Sequence, residues 1–113
     1  LFVPRSTPTR ELDTRPGGVA STGIRPVPGD RVDLDGRGVA VVGNLTITNV
    51  DRPGFVQLGP TRTLTPGTTS NINASTAFET LANAFIVPVD GGYSAYTIIG
   101  ADLIVDVSGY MIP

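Results

Sequence analysis

Turn-forming residues divide this chain into pieces that are too short for helices of ordinary length. Gly and Pro together account for 24 of the 113 residues and occur along the whole sequence. Val, Ile and Thr number 35, whereas Ala, Leu, Met, Glu, Gln and Lys, which favour helices, number only 20. Apolar runs that recur roughly every 8–12 residues between such turns are typical of β-sandwiches. We therefore expect an all-β fold, specifically a β-sandwich of the jelly-roll type.

About seven or eight short strands follow from this pattern. The last of them shows it most clearly, because Leu103, Val105 and Val107 occupy every second position. The Thr-rich residues 61–70 are expected to form a loop, and residues 75–84 at most a single helical turn. The expected strands cover residues 31–34, 39–50, 55–58, 72–75, 82–89, 93–99 and 101–110.

The first 30 residues differ in character from the rest of the chain. They hold five prolines and four glycines, a density that blocks helices and interrupts long strands. We expect residues 1–30 to form an extended N-terminal arm packed on the domain, and residues 31–113 to form the sandwich. The 33 residues of Leu, Ile, Val and Phe suffice for one core without disulfides. Because the chain begins at Leu1 without a start Met, we expect a processed product or a piece of a longer protein.

Charge and hydropathy exclude two classes of partner. The net charge is −2, and the basic residues, all of them Arg, are dispersed rather than gathered into the stripe that nucleic acids require. The longest apolar stretch, residues 84–89, is interrupted by Pro88 and is far shorter than a membrane span. We expect neither a nucleic-acid partner nor membrane insertion.

Catalytic and metal chemistry have few candidate residues. The chain has no His and no Cys, so the common general base and the thiolate nucleophile are both missing. Asp102 and Asp106 are four residues apart on a predicted strand, roughly 13 Å by strand rise, which is too far for a glycosidase pair. Asp33 and Asp35 precede Gly36 as in a calcium loop, but the remaining ligands of such a loop are missing. We expect no enzyme activity, no metal and no cofactor.

Six short motifs follow one another in order over nearly the whole chain. They are Arg10-Glu11-Leu12-Asp13-Thr14-Arg15, Gly43-Asn44-Leu45-Thr46-Ile47-Thr48, Gly54-Phe55-Val56, Ser70-Asn71-Ile72-Asn73, Ala82-Asn83-Ala84-Phe85-Ile86-Val87-Pro88 and Ile104-Val105-Asp106-Val107-Ser108-Gly109-Tyr110. Together they resemble a largely uncharacterised domain that is common in secreted and surface proteins of actinobacteria and other high-GC bacteria. The chain departs from that domain in a short, Cys-free segment between the first two motifs and in Met111, which replaces the closing aromatic residue. The resemblance implies an exterior location and a β architecture, and it assigns no reaction.

Charged residues of the first and last motifs are candidates for a structural ion pair. Asp106 lies between two valines in an apolar strand, where a lone carboxylate would be heavily penalised by desolvation. We expect Asp106 to be buried and paired with Arg10 or Arg15, with Asp13 helping to attach the arm to the sheet. The alternative is that these side chains form a clamp for a carbohydrate or a carboxylate.

Tyrosine and asparagine side chains are the candidate ligand-binding residues. Tyr93 and Tyr96 follow a Gly-Gly turn and would form a sugar platform if they were exposed and coplanar. The amides of Asn71, Asn73 and Asn83 can bind sugar hydroxyls or satisfy backbone groups where strands end, and we favour the second role.

These observations favour a non-enzymatic structural, assembly or adhesive module on the exterior of a cell or a virus particle, of the surface-layer, fibre or capsid-decoration type. Its expected partners are copies of itself or a neighbouring surface or virion protein. The alternative is a carbohydrate-binding module that meets cell-surface glycans. Exposure of the two tyrosines would favour the alternative, and their burial would favour the structural role.

Overall fold

A computed structural model describes all 113 residues and contains eight β-strands. The strands are β1 (Phe2–Asp13), β2 (Arg31–Leu34), β3 (Ala40–Thr48), β4 (Gly54–Pro60), β5 (Ile72–Ala74), β6 (Leu81–Pro88), β7 (Tyr93–Thr97) and β8 (Asp102–Met111). No helix that could cross a membrane is present. The predicted all-β class is confirmed, and the single helical turn allowed within residues 75–84 does not form.

The strands form two antiparallel sheets that pack against each other. Sheet A has the order β1-β8-β3-β6, and sheet B has the order β2-β7-β4-β5. Each strand from the first half of the chain pairs with one from the second half, in the nested pairs β1·β8, β2·β7, β3·β6 and β4·β5. Sequence-distant segments are therefore neighbours throughout the fold, and the predicted sandwich is confirmed.

The core lies between the two sheets and follows the two-residue period of the strands. On β3, Val41, Leu45 and Ile47 point inward and are buried, while the residues between them face outward. Eighteen buried apolar residues from both sheets form one contiguous cluster. Burial of this apolar surface is the main favourable term in folding, and no disulfide adds to it, since the chain has no Cys.

The N-terminal residues belong to sheet A. The expectation that prolines keep long strands out of residues 1–30 is wrong, because β1 is 12 residues long. It is an edge strand that pairs only with β8, so Pro4 and Pro8 need not donate to a second neighbour. The register with β8 also shifts between Pro4 and Thr9. Residues 14–30 contain no named strand and include turns, so the extended arm expected over residues 1–30 is not confirmed.

Candidate functional site

The first candidate cluster lies on the outer face of sheet A, where β1 meets β8. Arg10 is directly opposite Asp106, and its Nε and Nη2 donate to the two carboxylate oxygens at 2.9 and 3.1 Å. The hydrogen bond to Asp106 raises the pKa of Arg10. The Asp106 side chain is 28% exposed, so the prediction that it is buried is wrong. The two valines beside it point inward, and the period of the strand turns Asp106 outward.

Asp13 is the buried member of this cluster. Its carboxylate accepts hydrogen bonds from Arg15 Nε at 3.0 Å, Arg15 Nη2 at 2.9 Å and the Arg15 backbone N at 3.0 Å. Arg10 Nη1 approaches the same carboxylate at 3.7 Å. These bonds, led by the one from the Arg15 side chain, lower the pKa of Asp13. Arg10, Asp13, Arg15 and Asp106 thus form one network that joins β1 to β8, and we name it the edge network.

A second polar cluster was not foreseen from the sequence, where Asp102 was considered only as a catalytic group. The buried Asp102 accepts hydrogen bonds from Thr14 Oγ1 at 2.8 Å and Asn49 Nδ2 at 2.8 Å. Arg25 Nη1 lies 3.4 Å from the same carboxylate. The backbone N of Leu103 donates to Thr14 Oγ1 at 2.9 Å. These hydrogen bonds connect the segment that follows β1 to the start of β8, and we assign a structural role to the cluster.

The tyrosine platform that the carbohydrate-binding alternative requires does not form. Tyr93 and Tyr96 are three residues apart on β7, and an odd spacing sends two side chains to opposite faces of a strand. Tyr93 points into the core and is completely buried. Tyr96 faces outward, is partly exposed and lies against Phe55, with ring centroids 6.5 Å apart. The two rings cannot bind one sugar face together.

The candidate asparagines take part in local hydrogen bonds near β5. Asn71 Oδ1 accepts from the backbone N of Leu58 at 2.7 Å, which continues the pairing of β4 and β5 by one side-chain bond. Asn83 Nδ2 donates to the Asn71 carbonyl at 3.0 Å and so links β6 to the segment before β5. Asn73 Oδ1 accepts from Ser70 at 3.0 Å. These contacts satisfy polar groups where strands end.

Asp33 on β2 and Asp35 in the turn that follows have separate environments. Asp33 accepts from Arg31 Nε at 2.8 Å and from Ser94 Oγ at 2.6 Å, and these bonds lower its pKa. Asp35 lies at the rim of a cavity between the sheets. No group of three or more acidic, His or Cys side chains is arranged to hold a metal ion.

That cavity is the most polar concave site in the molecule. It has a volume of about 150 Å³ and lies where β1 and β8 face β7 and the turn after β2. Two buried polar atoms of the lining residues, Arg5 Nε and the Tyr93 hydroxyl, make no hydrogen bond with a protein group. Burial raises the pKa of Tyr93 well above its usual range. The lining residues are Arg5, Glu11, Asp35, Gly36, Arg37, Val41, Tyr93, Val107 and Tyr110.

The other distinctive surface is the outer side of β3 and β6. A shallow apolar groove there is lined by Val42, Ala84, Phe85 and Ile86, and Ile86 is 69% exposed. In the loop before β6, the exposed Phe78 has a φ of 65°, an unfavourable backbone conformation for a bulky residue. Its backbone N donates to the Val50 carbonyl at 2.7 Å, which holds the loop in this conformation. Apolar side chains are thus displayed on and beside β6.

Comparisons of the chain with protein-family models, with curated proteins and with solved structures found no match. The resemblance carried by the six motifs therefore stays a prediction.

Proposed function

We propose that this chain is a jelly-roll domain that serves as a non-enzymatic assembly or adhesive module on the exterior of a cell or a virus particle. The strand order β1-β8-β3-β6 facing β2-β7-β4-β5 supports the jelly-roll assignment, because a long hairpin rolled into two sheets produces these nested pairs. Capsid and lectin domains use this architecture. That link is a fold-level analogy, so the assignment of an assembly role has to rest on the surfaces of the chain.

The observation that carries the proposal is the state of the four sheet edges. β1 contains two prolines, four charged residues and two register shifts. β2 has four residues, including Arg31 and Asp33, and β5 has only three residues. Prolines, charged side chains, register shifts and short length all disfavour hydrogen-bonded pairing of an edge strand with another chain. β6 has eight residues and no charge, and its only such feature is Pro88 at the end.

The occupant that fits this edge is β6 of a second copy. One side of β6 pairs with β3, and the other has no hydrogen-bonded strand. Two antiparallel copies related by a two-fold axis would pair these free edges into one eight-stranded sheet, with no like charges facing each other. The apolar groove on the adjoining face would then continue across the two-fold axis. If the free edge of β6 paired in the same way with a strand of a neighbouring surface protein, the domain would act as an adhesive module.

The association can be tested by placing a positive charge on the free edge. Sedimentation equilibrium of the wild type over a range of concentrations should reveal dimers, whereas Ile86→Lys should weaken dimerisation because it places a positive charge on the edge strand of both copies. Ile24→Lys is the matched control, since Ile24 is 73% exposed and lies away from β6. A wild type that is monomeric at every concentration, or a dimer that survives Ile86→Lys, would contradict this mode of assembly.

A further inference from the structure

Phe78, in the loop between β5 and β6, has the most exposed large apolar side chain of the molecule, at 86%. Its φ of 65° lies in the left-handed region, which is unfavourable for a bulky residue. The ring therefore adds almost no buried area to its own domain, and the backbone beneath it makes folding less favourable. Strain of this kind is concentrated at functional sites, so Phe78 is a candidate for contact with a partner.

The loop that carries Phe78 is fixed by hydrogen bonds at two points. The backbone N of Phe78 donates to the Val50 carbonyl at 2.7 Å. The backbone N of Ser75 donates to Glu79 Oε1 at 2.8 Å, which closes the loop around the ring. An aromatic side chain on a fixed loop loses little conformational freedom when it binds, and aromatic residues are enriched in the cores of protein interfaces.

A groove that can hold an aromatic ring lies at the opposite edge of the sandwich, between β1 and β2. Its walls include the side chains of Leu12, Ile24 and Val32, and we name it the β1–β2 groove. Its volume is about 280 Å³, and an engineered cavity of about 150 Å³ holds benzene, so a phenyl ring fits. β1 and β6 are the two edges of sheet A, roughly 14 Å apart at about 4.8 Å per strand. The Phe78 ring therefore does not occupy the groove of its own chain.

The charges around the β1–β2 groove favour an uncharged occupant. Arg31 and Asp33 in its wall pair with each other at 2.8 Å, and the remaining polar side chains there, Thr14 and Thr22, are uncharged. Ile24 is 73% exposed, so an apolar group in the groove would remove apolar surface from water. The net charge of the chain is only −2, so two copies repel each other weakly.

We propose that the Phe78 ring of one copy binds in the β1–β2 groove of a second copy, against Leu12, Ile24 and Val32. Because the ring and the groove are different surfaces, the contact is head-to-tail, and each bound pair keeps a free ring and a free groove. The contact is separate from the β6 edge, so changes at Ile24 should leave edge pairing intact.

The area of this contact sets its strength. Burial of one Phe side chain accounts for roughly 150–250 Å², well below the roughly 1,200 Å² of a stable interface. A single contact is therefore weak and forms only at high protein concentration. Repetition of the contact between dimers joined at β6 would strengthen it by avidity.

Complementation between two variants tests the contact, because each variant alone lacks one of its two sides. The first carries Phe78→Trp, which retains an aromatic ring in a chain that has no Trp, and Ile24→Glu, which places a charge in its own groove. The second carries Phe78→Gly and retains the groove. Both also carry Ile86→Lys, which weakens pairing at the β6 edge. Addition of the second protein to the first, up to millimolar concentration, should shift the indole emission to shorter wavelength, since the indole leaves water.

The matched control is the second protein with Ile24→Glu added, which lacks both sides of the contact and should cause no shift. The absence of a shift with either protein, or equal shifts with both, would overturn the proposal. Because Ile86→Lys is present throughout, the result does not depend on whether the β6 edge pairs in the wild type.

Urea denaturation of dilute protein provides a second readout. Phe78→Gly should unfold at the same urea concentration as the wild type or a higher one, because Gly adopts a positive φ readily and the exposed ring contributes little packing. Folding of the variant is checked in the same measurement. A clearly lower midpoint would show that the ring stabilises its own domain, and it would overturn the assignment of Phe78 to a partner.

Discussion

The two edges of sheet A are built in opposite ways. The β1 edge is charged, interrupted by prolines and fastened to β8 by the edge network of Arg10, Asp13, Arg15 and Asp106. The β6 edge is uncharged and regular in register, and it displays the exposed Ile86. Both strands are of a length that would support pairing with another chain, so the difference lies in their side chains. Polar side chains at β1 act within the domain, whereas the apolar side chain of Ile86 on β6 is exposed and makes no such bonds.

Because of this contrast, the stability of the monomer and its association should depend on opposite edges of sheet A. Changes at the edge network should reduce the free energy of unfolding of the monomer. Changes at the exposed positions of β6 should alter association and leave the monomer nearly unaffected, because such positions usually contribute less than about 0.5 kcal/mol. The experiments below test the contrast, starting with the largest expected effect.

Loss of the buried carboxylate of the edge network should have the largest effect. Asp13→Asn removes the charge that binds Arg15 and Arg10, and we expect the free energy of unfolding to fall by about 2–3 kcal/mol. Urea denaturation of dilute protein measures it. Ile86→Lys is the control from the opposite edge and should change stability by less than about 0.5 kcal/mol. Equal losses in the two variants would mean that the edges do not differ as described.

The same carboxylate should make stability dependent on pH in the acid range. Because bonds from Arg15 lower the pKa of Asp13 in the folded state, its contribution is complete above the unfolded pKa of about 3.9. That contribution is lost as the pH falls through the lower folded value. The stability of the wild type should therefore decline below about pH 4, and the decline should be shallower in Asp13→Asn.

Asp33→Asn is the matched comparison for this titration. The pKa of Asp33 is also lowered, chiefly by Arg31, but its side chain is 61% exposed and solvent screens the interaction. Its removal should flatten the acid limb of the stability curve less than Asp13→Asn does. A curve for Asp13→Asn that is parallel to that of the wild type would show that this carboxylate does not contribute in the proposed way.

The ion pair between Arg10 and Asp106 should give a smaller effect. Both side chains are about a third exposed, so a double-mutant cycle with Arg10→Met and Asp106→Asn should yield a coupling of about 1 kcal/mol. The more exposed pair of Arg31 and Asp33 should give a coupling near zero in a parallel cycle. If the losses of unfolding free energy in the two single variants simply add up in the double variant, the Arg10–Asp106 pair contributes no coupling. Only the bonds of Asp13 would then stabilise the edge network.

The sequence pattern was sufficient for elements whose period of two is uninterrupted. β3 and β8 lie close to their predicted positions, because buried side chains recur at every second residue. The same period, applied to Tyr93 and Tyr96, would have assigned them to opposite faces, since their spacing is odd. The same period would also have predicted that Asp106 faces away from the core. These errors came from judging residues by their neighbours in sequence instead of by the face they share.

Other features depend on relations between strands that no local pattern records. β1 forms despite Pro4 and Pro8 because it is an edge strand, and edge position is a property of the whole sheet. The cavity combines Arg5, which lies within the register shift of β1, with Tyr93 from the opposite sheet. The position of β6 at a sheet edge also depends on how all eight strands pair.

The position of β8 shapes how this chain can fold. β8 is the last strand to emerge during synthesis, yet it lies between β1 and β3 in sheet A. β1 therefore has no hydrogen-bonded neighbour until about a hundred further residues have been translated. Native contacts of such wide separation close large loops, and chains dominated by them fold on the slow timescale of milliseconds to seconds. Until β8 is in place, the edge of β3 that pairs with β8 is exposed. Its backbone groups can then pair either with β8 of the same chain or with a strand of another chain, so folding competes with self-association.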